Sequence, residues 1–89
     1  MASLEEAQKQ LAQDIISNNI AGLMGAFTPA AMVKAMGIAA NPINAQTYEL
    51  NDLGNNEVET TFVGSYRRTV WSKWVQNGEL WQIDDLAER

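Results

Sequence analysis

Residues 61–86 read TFVGSYRRTVWSKWVQNGELWQIDDL, two runs of β-forming residues that meet at Asn77-Gly78. Asn-Gly between alternating apolar residues is the strongest short-range hairpin signal, because both residues tolerate the positive φ that a tight turn needs. Taken as a two-residue loop, it pairs Gln76 with Glu79. The ladder then sets Val75 against Leu80, Trp74 against Trp81, Lys73 against Gln82, Ser72 against Ile83 and Trp71 against Asp84. One sheet face carries Val70, Ser72, Trp74, Trp81 and Ile83. The other carries Trp71, Lys73, Val75, Leu80, Gln82 and Leu86.

Upstream of the hairpin the apolar period is already two. Tyr48 and Leu50 alternate with Glu49 and Asn51, and Gly54-Asn55-Asn56 supplies a turn. Val58, Thr60 and Phe62 then alternate with Glu57, Glu59 and Thr61, and Gly64 marks a bulge or strand end. The third strand is predicted over about residues 69–76 and the fourth over 79–86.

Ahead of the sheet the period is helical. Ser3 and Glu6 are spaced as a capping box, and Leu4, Ala7, Leu11, Ile15 and Ile16 follow on one helical face. Glu5, Lys9, Gln10, Gln13 and Asp14 take the opposite side, and Asn18-Asn19 is a stop signal. A second helix fits 20–27, with Ile20, Leu23, Met24 and Phe27 as its apolar face. Thr28-Pro29 caps a third, running to about residue 36 and closed by Gly37. Residues 38–45, with Pro42 at their centre, read as a loop. The expectation is one α+β domain over residues 1–89, its N-terminal helices packed on a curved four-stranded antiparallel sheet.

The chain has 11 acidic and 6 basic residues, a net charge of −5, and neither cysteine nor histidine. That removes disulfides, a thiolate nucleophile and the commonest general base. An acidic chain without a basic stripe argues against nucleic-acid binding. The longest apolar-leaning stretch, 20–40, is broken by Gly22, Gly25, Pro29, Lys34 and Gly37, so no membrane span is expected. The polar, helical start does not read as a signal peptide, and the expected compartment is cytoplasmic.

Two segments carry a family resemblance: IAGLMGAFTPAA at 20–31 and RTVWSKWVQNGELWQIDDL at 68–86. Helices followed by a sheet that ends in this hairpin resemble the NTF2-like (SnoaL-like, cystatin-like fold) superfamily. Its members tend to be longer, with an extra strand and helix where this chain has only 38–45. The resemblance implies an α+β cone open at one end, often dimerising through its outer sheet face. It implies no particular activity, because the superfamily includes isomerases, lyases, hydrolases and plain binding modules.

Three functional readings follow. The leading one is a homodimeric binding module for a small apolar ligand or a protein partner. Its pocket would be lined by Tyr48, Phe62, Trp74, Trp81 and Ile83, with Ser72 between the tryptophans and Met24, Phe27, Met32 and Met36 above. Methionine lines adaptable pockets, and it equally fills irregular cores. The dimer interface would be Trp71, Lys73, Val75, Leu80, Gln82 and Leu86, an apolar patch among polar residues; single surface hydrophobics are the plainer explanation. The second reading is an isomerase or lyase using Asp85, on the predicted inner face, as general base with Tyr48 as hydrogen-bond donor. That needs burial to raise the Asp85 pKa, against the plainer reading of a solvated strand end. The third is a structural dimer with a filled core. Arg67-Arg68 can hold a carboxylate or phosphate, or simply balance Glu57 and Glu59. No spacing of acids suggests a metal site and no glycine-rich fingerprint is present, so no cofactor is expected.

Overall fold

The computed structural model of the chain describes residues 3–89. Helices α1 (Leu4–Ser17), α2 (Ile20–Met24) and α3 (Pro29–Ala39) precede strands β1 (Ala45–Gly54), β2 (Glu57–Gly64), β3 (Arg67–Asn77) and β4 (Leu80–Glu88). The strands form one open antiparallel meander in the order β1-β2-β3-β4, with the helices packed on it, an α+β fold.

The helix boundaries follow local side-chain chemistry. Ser3 Oγ accepts from Glu6 N–H at 3.2 Å, and Asn18 ends α1 in the left-handed conformation with φ 58°. Thr28 Oγ1 accepts from Ala31 N–H at 3.3 Å, with Pro29 in the first turn of α3. Three expectations are corrected here. First, α2 stops at Met24, and Phe27 instead forms a parallel bridge with Ile83. Second, α3 runs through Gly37 to Ala39, because an exposed glycine weakens a helix without ending it. Third, Asp14 is buried in the contact between α1 and α2. Its carboxylate accepts from Gln10 Nε2 at 3.0 Å and Asn19 Nδ2 at 3.2 Å. Gly22 makes room for it: a Cβ there would sit 2.5 Å from Asp14 Oδ2.

The final hairpin departs from the expected register. Asn77 pairs with Leu80, so the loop is Gly78-Glu79. Gly78 has φ +66° and Glu79 does not share the positive sign, the pattern of a type II′ turn. Trp74 therefore faces Ile83, Gln76 faces Trp81 and Val75 faces Gln82. Each partner has slid by two residues, which preserves the sheet faces, so Val70, Ser72, Trp74 and Ile83 all point inward and are buried.

A bulge then changes the parity. Lys73 pairs with Asp85 while Trp74 pairs with Ile83, leaving Asp84 as the extra residue on β4. Beyond it Ser72 faces Leu86, and Leu86 is buried inside rather than on the outer face. Asp85 moves the other way, off the inner face and opposite Lys73.

The core joins Val58, Phe62, Val70, Trp74, Ile83 and Leu86 of the sheet to Leu11 and Ala12 of α1 and Ala31 of α3. Trp74 is 2% exposed, and its indole N–H donates to the buried Ser72 hydroxyl at 3.0 Å. Ser72 thus satisfies a donor that water does not reach.

Two glycine substitutions with opposite signs test this backbone. Gly37→Ala, with open space around the new methyl, should stabilise the protein by about 0.5–1 kcal/mol. Gly64→Ala should cost about 1–3 kcal/mol, since its Cβ would lie 2.4 Å from the Asn44 carbonyl oxygen. Urea denaturation measures both; a destabilising Gly37→Ala would contradict a helix running to Ala39.

Candidate ligand-binding cavity

The end of α1, the short α2 and the length of α3 roof an open cavity of ≈ 290 Å³ above one end of the sheet. Ile15 and Asn18 come from the α1 terminus, and Ile20, Leu23 and Met24 from α2 and its start. Helix α3 presents Met32, Ala35 and Met36, and its additional turn adds Ile38 and Ala39. Pro42 and Ile43 close one side, Phe27 stands between α2 and α3, and Val70 and Leu86 contribute from the sheet. Leu86 is available only because the Asp84 bulge turns it inward. Among the described residues, Asn18 is the one polar residue of the lining.

The roof is held by a backbone clip. Thr28 N–H donates to the Ile83 carbonyl at 2.9 Å, and Ile83 N–H donates to the Ala26 carbonyl at 2.8 Å. Side chains reinforce it. Thr28 Oγ1 bonds Asp84 Oδ1 at 3.1 Å, Gln82 Nε2 donates to the Gly25 carbonyl at 3.1 Å, and Lys34 of α3 pairs with Asp85.

Of the residues assigned to a pocket from sequence, Met24, Phe27, Met32 and Met36 line this cavity. Phe62, Ser72, Trp74 and Ile83 are buried in the core beside it, while Tyr48 and Trp81 are half-buried against that core. The cavity therefore lies between helices and sheet end, displaced from Trp74 and Trp81. Ile20 and Leu23 were readable from the apolar face of α2. Ile38 was hidden by the expectation of a loop, and Leu86 by the bulge.

Asp85 is poorly placed for a general base. It stands at the surface, and its carboxyl is held below its usual value chiefly by the Lys34 hydrogen bond, against a smaller opposing effect of burial. The general-base reading required burial to raise it; a partnered, exposed carboxylate does the reverse, as the plainer reading of a solvated strand end had it.

The outer sheet face is laced with polar contacts. Trp71 Nε1 donates to Glu57 at 2.9 Å, and Arg89 lies over the Trp71 ring, 5.6 Å from its centroid. Arg89 also pairs with Glu59, and the Thr61 and Thr69 hydroxyls meet at 3.0 Å. Trp71, Lys73, Val75, Leu80 and Gln82 do share this face; Leu86 has left it.

The arginine pair splits. Arg67 reaches Glu49 at 2.9 Å. Arg68 makes a two-pronged contact with Glu88, at 2.6 and 2.7 Å, and its third nitrogen donates to the Asn41 carbonyl at 2.5 Å. It thereby fastens the segment below α3 to the end of β4. The hydrogen bond from Arg68 is the main cause holding the Glu88 carboxyl below its usual value, and the same contact raises Arg68.

A second hollow, of ≈ 560 Å³, lies between α1 and the other end of the sheet, beside Gln8, Leu50, Asp52 and Val58. Its Lys9 is already paired with Glu5. Among the described residues, no group of acids is arranged to hold a metal ion, and no helix is long and apolar enough to cross a membrane. No protein-family model, curated protein or solved structure matches the chain.

The Arg68–Glu88 contact sets a pH dependence. Glu88 is more acidic folded than unfolded, so its stabilising contribution is full above the unfolded value of about 4.3. It is lost as pH falls through the lower folded value. Urea midpoints measured from about pH 6 to pH 3 should fall more steeply for the wild type than for Glu88→Gln. Parallel curves would contradict the coupling.

Proposed function

We propose that this chain is a binding module for a small apolar ligand, housed in the cavity under α2 and α3. The observation that carries the reading is the lining: an open cavity of ≈ 290 Å³ walled by aliphatic, methionine and phenylalanine side chains. Ile20, Met24 and Met36 at its edge are 58%, 69% and 67% exposed, an apolar cluster that is costly to leave in water. Methionine side chains adapt to differently shaped guests. The order of three helices and then a four-stranded meander supports reading the domain as a shortened NTF2-like fold.

The acid–base alternative at Asp85 and Tyr48 has less support, because Asp85 is engaged by Lys34 and, among the described residues, no acid lines the cavity. Self-association through the outer sheet face is a separate proposal, resting on the 61% exposed Leu80 beside half-buried Val75.

Naphthalene, a neutral ten-carbon probe, tests the cavity. Added to protein carrying labelled methionine methyls, it should shift Met24, Met32 and Met36 saturably. Ala35→Phe, which fills the space, should abolish those shifts while keeping a native melting curve; Ala35→Leu should weaken them. Unmoved methyls in the wild type, or equal shifts in the filled variants, would overturn the reading.

A further inference from the structure

Resting on that reading of the cavity, we infer that its natural guest is an uncharged amphiphile with a single hydroxyl or carbonyl group held at Asn18. The size follows from volume: a dry cavity of about 150 Å³ accommodates benzene, so ≈ 290 Å³ suits a guest on the order of ten heavy atoms.

Charge decides the head group. Of six basic residues, five are ion-paired: Lys9, Lys34, Arg67, Arg68 and Arg89. The sixth, Lys73, stands on the outer sheet face. Arg68 is the cation two residues from Val70 on the cavity-facing side, and both edges of its guanidinium are taken by Glu88 and Asn41. A carboxylate or phosphate head must therefore displace Glu88, in a chain already at −5. A cationic head fares no better. Among the described residues no acid lines the cavity, and the Asp14 carboxylate near α2 is buried, with its Oδ1 accepting from both Gln10 and Asn19.

Asn18 supplies what remains. Its left-handed backbone caps α1, and its N–H is committed to the Asp14 and Ile15 carbonyls. Its side chain is exposed at the cavity edge and makes no hydrogen bond within the described residues. A carboxamide both donates and accepts, so it can serve an alcohol, a ketone or an amide. The exposed apolar rim adds contact for the chain of such a guest.

Calorimetric titration with 1-nonanol, nonanoate and nonylamine at neutral pH separates the classes. Nonanol should bind at least about tenfold more tightly than either ion. Asn18→Gly keeps the left-handed cap and removes the carboxamide. It should weaken nonanol about three- to tenfold and leave naphthalene unchanged. Equal affinity for nonanol and an ion, or for nonanol in wild type and Asn18→Gly, overturns the inference while naphthalene binding still upholds the cavity. Absence of both naphthalene and nonanol binding sinks the cavity reading as well. A dimer dispersed by Met36→Glu, with no alcohol bound by the wild type, would place a second copy over the cavity and refute the inference.

Discussion

Two backbone hydrogen bonds, from Thr28 N–H to the Ile83 carbonyl and from Ile83 N–H to the Ala26 carbonyl, tie the turn between α2 and α3 to the edge of β4. Each contributes on the order of 1 kcal/mol net, and leaving the buried Ile83 groups unpaired would cost more than the bonds return. The clip does three things at once. It covers part of a strand edge that would otherwise be open to another chain. It sets where α3 starts, with Thr28 serving as both clip and cap. And it holds the short, glycine-containing α2, which has no buried residue of its own, over one end of the sheet.

The Asp84 bulge is the second constraint and depends on the first. The clip engages Ile83, while Asp84 and Asp85 reach Thr28 and Lys34 on either side of the α3 start. With one residue extruded, Ile83 and Leu86 both point inward although they are three apart. Ile83 packs in the core beside Trp74; Leu86 lines the cavity. An unbulged strand would place Asp85 under the helices, where an ionised carboxyl is expensive. The bulge exchanges that acid for a leucine, and the inner surface at the cavity becomes apolar.

The existence of the hairpin, the inward placement of Val70, Ser72, Trp74 and Ile83, and the caps at Ser3, Asn18 and Thr28 were legible because each rests on local chemistry. The register was not. Asn-Gly and Gly-Glu are both acceptable two-residue turns, and the chain uses Gly78 at the first position, leaving Asn77 in the strand with its side chain on Gln82 at 3.2 Å. Sliding by two changed the partners of Trp74, Val75 and Gln76 but spared the faces, so the error lay in the pairings and not in which of these side chains point inward. The bulge had no local signal beyond a doublet of aspartates, and it misplaced both Leu86 and Asp85. For the cavity, the methionines were visible as a cluster on two helices. The volume they border depends on α3 passing through Gly37, which pattern alone reads as a stop.

Stability and site are linked through the same few contacts. Arg68 joins the segment below α3 to β4, Lys34 joins α3 to Asp85, and the clip joins the turn between α2 and α3 to Ile83. These hold the helices away from the sheet end without filling the space between. Hydrogen exchange at the Thr28 and Ile83 amides tests that arrangement most directly. If the clip supports the fold, both amides should exchange only through global unfolding, with the same free energy as the Trp74 amide, which bonds the Asn56 carbonyl at 2.8 Å. Exchange of Thr28 and Ile83 orders of magnitude faster than Trp74 would mean that the roof opens independently, and would contradict the account.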